Sequence, residues 1–169
     1  MAALTTQYHF VRLFYEVAFL DGRRRVGMAL TADEEDRLSV LISIVGRDPD
    51  RMRRRFRRKP MLMPAIVKGP GGVARATVVN MSPGGMLMVT GLDVEVGELV
   101  LVKVGRPGSV QHSFPCKAVR VEEHDSESLV ALTVTGIPLE VRYGGFQTRE
   151  LEMPRERVTQ PLDRIRNTG

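Results

Sequence analysis

A chain of 169 residues with 43% hydrophobic content has material for one ordinary domain plus an extension, with a real core. No apolar run approaches the ~20 residues needed to cross a bilayer, no basic start precedes an apolar stretch, and a lone cysteine, Cys116, excludes an internal disulfide; the chain reads as cytoplasmic, without span, signal peptide or Cys-cluster metal site. The net charge of +5 is local: Arg47–Lys59 holds eight Lys/Arg against Asp48 and Asp50, hence +6, leaving −1 elsewhere, which excludes a generally basic surface but leaves one phosphate-attracting patch.

The first segment, from about Thr6 to Leu20, carries Tyr8, Phe10, Phe14, Tyr15 and Phe19, five of the nine aromatic residues. Its strongly polar residues, His9, Arg12 and Glu16, fall on one narrow stripe of a helix, so the remaining circumference is apolar and has to be buried. Asp21-Gly22 could instead turn a β-hairpin. A second helix is signalled by Thr31-Ala32-Asp33-Glu34, which has the form of a capping box. Leu38, Leu41, Ile42 and Val45 then recur at helical spacing before Gly46 and Pro49 end it. Residues 1–50 are too few for a core of their own. They are expected to pack on the following domain, on a second copy or on another protein, and the aromatic helix points to a homodimer or a docked partner.

From Pro64 the pattern changes to short β runs between turn residues. Ala65–Lys68, Val73–Val79, Met86–Thr90, Leu99–Val104, Phe114–Val121 and Leu129–Thr135 predict six strands of an antiparallel barrel or sandwich. Around Cys116 the apolar parity of Phe114, Cys116 and Ala118 switches to Val119 and Val121, which predicts a bulge. Cys116 itself is expected to be a packed strand thiol. The methionines, among them Met61, Met63, Met81, Met86 and Met88, suit adaptable packing. Beyond Gly136 the signal fades, with a loop at Tyr143–Phe146 and room for a short helix in Pro154–Arg166. The organisation predicted is a helical extension over 1–50, a barrel with its arginine-rich lead over 51–140 and a tail over 141–169.

Two clusters carry the functional signal. Arg54 and Arg58 stand in an R-x-x-x-R frame, and Asn80-Met81-Ser82-Pro83-Gly84-Gly85 reads N-x-S-x-x-G. In order, gap and strand-rich setting the pair resembles the PilZ domain family of bacterial cyclic-di-GMP receptors. The resemblance implies a six-stranded antiparallel barrel that binds cyclic-di-GMP as a ligand, with no cofactor. Arg54 and Arg58 would grip phosphate and guanine, and Arg53, just ahead of the frame, could touch a second ligand molecule. Asn80 would hydrogen-bond a guanine edge, Ser82 would bond phosphate or brace the loop, and Gly85 would admit close backbone approach. Many members have Asp where this chain has Asn80.

The residue types suit such a ligand on chemical grounds. A guanidinium fork bonds phosphate oxygens or the O6/N7 edge of guanine, and the same plane stacks on a base, where lysine supplies only charge. Arg53, Arg55 and Arg57 lie outside the frame and suit solvated or phosphate-proximal roles. Asn80 and Ser82 could equally stabilise a turn. His9, His112 and His124 lack metal-ligand spacing. No Ser-His-Asp set, carboxylate pair or P-loop suggests an enzyme. The leading expectation is a receptor that passes ligand binding to its N-terminal helices and a downstream partner. One alternative is a barrel that has lost the nucleotide and works in pilus or motility assembly. The other is a nucleic-acid binder, disfavoured because Phe56 is the sole aromatic within the basic run.

Overall fold

The structure, a computed structural model, describes residues 2–46, 55–105, 108 and 110–142, with side chains from Thr6 onward. Arg53, Arg54 and everything after Arg142, including the short helix expected in Pro154–Arg166, lie outside the described residues. Two helices, α1 (Ala2–Arg25) and α2 (Ala32–Val45), precede seven strands: β1 (Lys59–Gly69), β2 (Gly72–Ser82), β3 (Gly85–Thr90), β4 (Leu99–Val104), β5 (Gln111–His124), β6 (Glu127–Val134) and β7 (Leu139–Val141). The first six follow the order β4-β1-β2-β3-β6-β5 and close into a barrel through a β4–β5 pairing, every ladder being antiparallel. The three residues of β7 add to the start of β5.

Alternation along the strands fills the barrel. Met63 and Val67 of β1, Val78 and Met81 of β2, Met86 and Met88 of β3, Val102 and Val104 of β4, Phe114 of β5 and Val130 of β6 are all fully buried. Cys116 joins this interior, and burial pushes its thiol pKa far up, so it packs as a small hydrophobe. The bulge in β5 falls where parity placed it: the register shifts between Ala118 and Arg120, leaving Val119 on the outside, 50% exposed.

The capping box of α2 is formed, with Thr31 Oγ1 accepting from Glu34 N and Glu34 Oε2 accepting from Thr31 N. Gly46 follows at φ 79°, the left-handed region that glycine enters without a Cβ clash. The hairpin alternative at Asp21-Gly22 is not realised, because α1 runs straight through both residues. Gly22 packs beside Ile137 in the β6–β7 connection, where a Cβ would make ordinary contact at 3.4 Å.

The aromatic helix is covered by the molecule itself. Val11, Phe14, Val17, Ala18 and Leu20 of α1 share one continuous core with Leu38, Leu41 and Val45 of α2 and with the barrel, and the five aromatics are buried in it or packed against it. Residues of both helices thus pack on the following domain, one of the three places open to them. Side-chain contacts fix the seat: Tyr15 stacks on His112 and meets Phe114 edge-on, Lys59 Nζ lies over Phe10, and Leu62 N donates to Gln7 Oε1.

Candidate functional site

A cleft of about 430 Å³ opens where the end of α1, the segment leading into β1 and the β2–β3 turn converge. Asp21 and Arg25 come from α1, Arg55, Phe56 and Arg58 from the lead segment, Ser82, Gly84 and Gly85 from the turn, and Val119, Leu132, Thr133 and Val134 from β5 and β6. Three of the expected site residues therefore share one cavity: Arg58, Ser82 and Gly85. Asn80 is not among the lining residues, and Arg53 and Arg54 lie outside the described chain.

The lead segment is docked on both sides. Phe56 is 5% exposed, its ring 3.6 Å from where a Cβ on Gly84 would stand. Arg57 N donates to Gly46 O at 3.3 Å, tying the segment to the end of α2. Arg55 donates from Nη1 to Asp21 Oδ2 at 2.7 Å, and its guanidinium carbon lies 5.1 Å from the centre of the Phe56 ring. The residue that the R-x-x-x-R frame passes over thus lines the cleft while its side chain stays half exposed.

Asp21 is 3% exposed and gathers three arginines. Oδ1 takes Arg24 Nη2 at 3.1 Å, while Oδ2 takes Arg25 Nε at 3.3 Å together with Arg55. Burial makes such a carboxylate dependent on its cations. Nothing in the local sequence marks this contact, because it joins the last turn of one helix to a residue beyond the next.

In the turn, Ser82 and Gly85 are register partners. Ser82 is buried, and its Oγ donates to Gly85 O at 3.3 Å, so the hydroxyl braces the loop and still lines the cleft. Gly85 is needed for a different reason from a left-handed turn: its φ is not positive, and a Cβ would lie 2.3 Å from the carbonyl oxygen of Leu132 on β6. The adjacent strand excludes a side chain there. Asn80 pairs with Pro60 on one side and Leu87 on the other, next to the irregularity at Val79, and its buried Oδ1 has no hydrogen-bond partner. An unpaired buried acceptor costs about 1–3 kcal/mol, so this amide sits one donor short of satisfaction.

A closed antiparallel barrel thus carries, around one cleft, arginines of the segment leading into it and a serine–glycine turn across from them. The PilZ domain family matches residues 52–153, more than half of the chain, and the chain belongs to that family. PilZ domains are, as a family, receptors for cyclic-di-GMP and not enzymes. No curated protein matches the sequence. Among the described residues, no helix is long and apolar enough to cross a membrane.

Proposed function

We propose that this protein is a cyclic-di-GMP receptor that couples nucleotide binding to the seating of its N-terminal helices and so to a downstream partner. The observation that carries the reading is the convergence of Arg58, Ser82 and Gly85, from two separate motifs, on one cleft. Its volume of about 430 Å³ suits a small ligand. Arg58 supplies a fork for phosphate or for the guanine edge, with Arg54 acting from the same segment. Asn80, whose buried Oδ1 lacks a donor, would take a guanine amino group only if its strand end shifts toward the cleft when the ligand binds. The lead segment touches α1, α2 and the turn at once, so a ligand that repositions it acts on both helices.

The test is a titration with cyclic-di-GMP against GTP, GMP and a DNA oligonucleotide at two salt concentrations. Saturable binding of the cyclic dinucleotide, weakly dependent on salt, is expected. Binding of DNA alone, with a steep salt slope, would point to the basic-patch reading, and no binding of any of them to the partner-only reading. This role places the protein in the cytoplasm.

A further inference from the structure

We propose that the nucleotide cleft is composite, with Arg25 of α1 and Arg55 of the lead segment as ligand-binding residues, and that a ligand phosphate replaces the Asp21 carboxylate on these two arginines. The inference rests on the receptor reading and extends it to residues that neither motif specifies.

The division of contacts at Asp21 carries it. Oδ2 holds Arg25 and Arg55, which both line the cleft; Oδ1 holds Arg24, which does not. One carboxylate oxygen therefore occupies the position of an anion between two cleft arginines. A phosphodiester oxygen is an acceptor of the same charge and similar reach, and guanidinium forks serve either. Charge agrees with this: among the described residues three arginines and one aspartate line the cleft, which is net positive toward an anionic ligand before the exchange and more so once Asp21 withdraws. Each guanidinium also has donors to spare, since Arg25 engages Asp21 through Nε and Arg55 through Nη1.

The exchange has a structural consequence. The Asp21 side chain is 5% exposed, and a carboxylate that buried does not stay in place after losing two of its three cations. It has to follow Arg24 outward, and the last turn of α1 moves with it. Ligand binding and the seating of α1 are then reciprocally linked.

The experiment is a calorimetric titration of the full chain with cyclic-di-GMP, comparing wild type with Arg25→Ala, Arg55→Ala, Asp21→Asn, Arg24→Ala and Arg58→Ala. Arg25→Ala and Arg55→Ala are each expected to weaken binding by about tenfold, the factor associated with one charge-assisted hydrogen bond. Asp21→Asn, which removes the competing charge, is expected to tighten binding severalfold, and Arg24→Ala, which removes the cation that receives the displaced carboxylate, to weaken it by less than Arg25→Ala because Arg24 lies outside the cleft. Wild-type affinity in both Arg25→Ala and Arg55→Ala, with Arg58→Ala still defective, overturns the composite site and leaves the receptor reading standing. Absence of binding by the wild type overturns both. An Asp21→Asn protein that melts like wild type but binds more weakly overturns the exchange; if that variant does not fold, the two half-exposed arginines decide.

Discussion

Tyr15 of α1 lies over the imidazole of His112 on β5, ring centroids 4.3 Å apart and planes 25° from parallel. The pair joins helix to barrel, and it gives that joint a pH dependence. His112 is 6% exposed, and its Nδ1 is buried with no partner. Burial holds its pKa below the ordinary histidine value, Arg12 on α1 pushes in the same direction, and Glu140 on β7 opposes them.

Because His112 is held neutral in the fold, the unfolded chain takes up its proton first as pH falls. Stability is therefore full above about 6.5 and is lost as pH drops below that value toward the lower folded pKa, with a slope of at most ~1.4 kcal/mol per pH unit. Glu34 and Glu140, whose pKa values are lowered, act at more acid pH. Urea melts across this window should show the decline, and His112→Phe, which keeps an aromatic ring beneath Tyr15, should flatten it. An equal slope in the variant would assign the effect to another group.

Gly85→Ala should destabilise the barrel. The added Cβ would meet the Leu132 carbonyl, a backbone atom held in the β3–β6 ladder, so the strands would have to separate. The expected loss is about 1–3 kcal/mol, read as a lower urea midpoint. Gly84→Ala is the control: its Cβ makes ordinary contact with Phe56 at 3.6 Å and should shift stability by no more than about 0.5 kcal/mol.

The barrel was legible wherever one face of a strand is buried, because alternation is then imposed on the sequence. Strand β1 extends further than its readable core of Ala65–Lys68 for a physical reason. Only that stretch pairs with β4 as well as β2, whereas Pro60 and Pro64 fall where β2 alone is the partner and a missing amide is tolerated. The bulge at Val119 was readable from parity; its place in the cleft was not. Arg58, Ser82 and Gly85 followed from the motifs, but the reason for Gly85 lies on another strand. Asp21, Arg25 and Arg55 were not readable because their meeting depends on the path of the chain between α1 and β1, and α1 itself was readable as a helix without indicating what would cover it.

Arg58→Ala should abolish measurable cyclic-di-GMP binding while leaving the melting curve nearly unchanged. Removing a charge-assisted bidentate contact costs binding about 1.5–3 kcal/mol, and a part-exposed arginine contributes little to folding. Arg54→Ala is expected to behave alike on the strength of the motif. Arg58→Lys should restore only part of the affinity, since an ammonium neither forks nor stacks. Wild-type affinity in both alanine variants would remove the assigned site.

Deleting residues 1–50 should not leave a soluble monomeric barrel. From the sequence, a helix with so apolar a circumference pointed toward a second copy or a docked partner. The structure buries Val11, Phe14, Val17 and Leu20 in the core shared with the barrel, so the deletion would strip cover from His112 and Phe114. A continuous apolar surface of that kind drives association. Light scattering should show aggregates for the truncated protein and a monomer for the full chain, because α1 is already occupied. Among the described residues, the large apolar side chains that the helices keep in solvent are Val40 and Ile44 on α2, 59% and 62% exposed, so a full-length dimer, if found, should be broken by charging those two positions. A truncated barrel that remains monomeric and unfolds cooperatively would mean that α1 is an accessory to the fold and not part of its core.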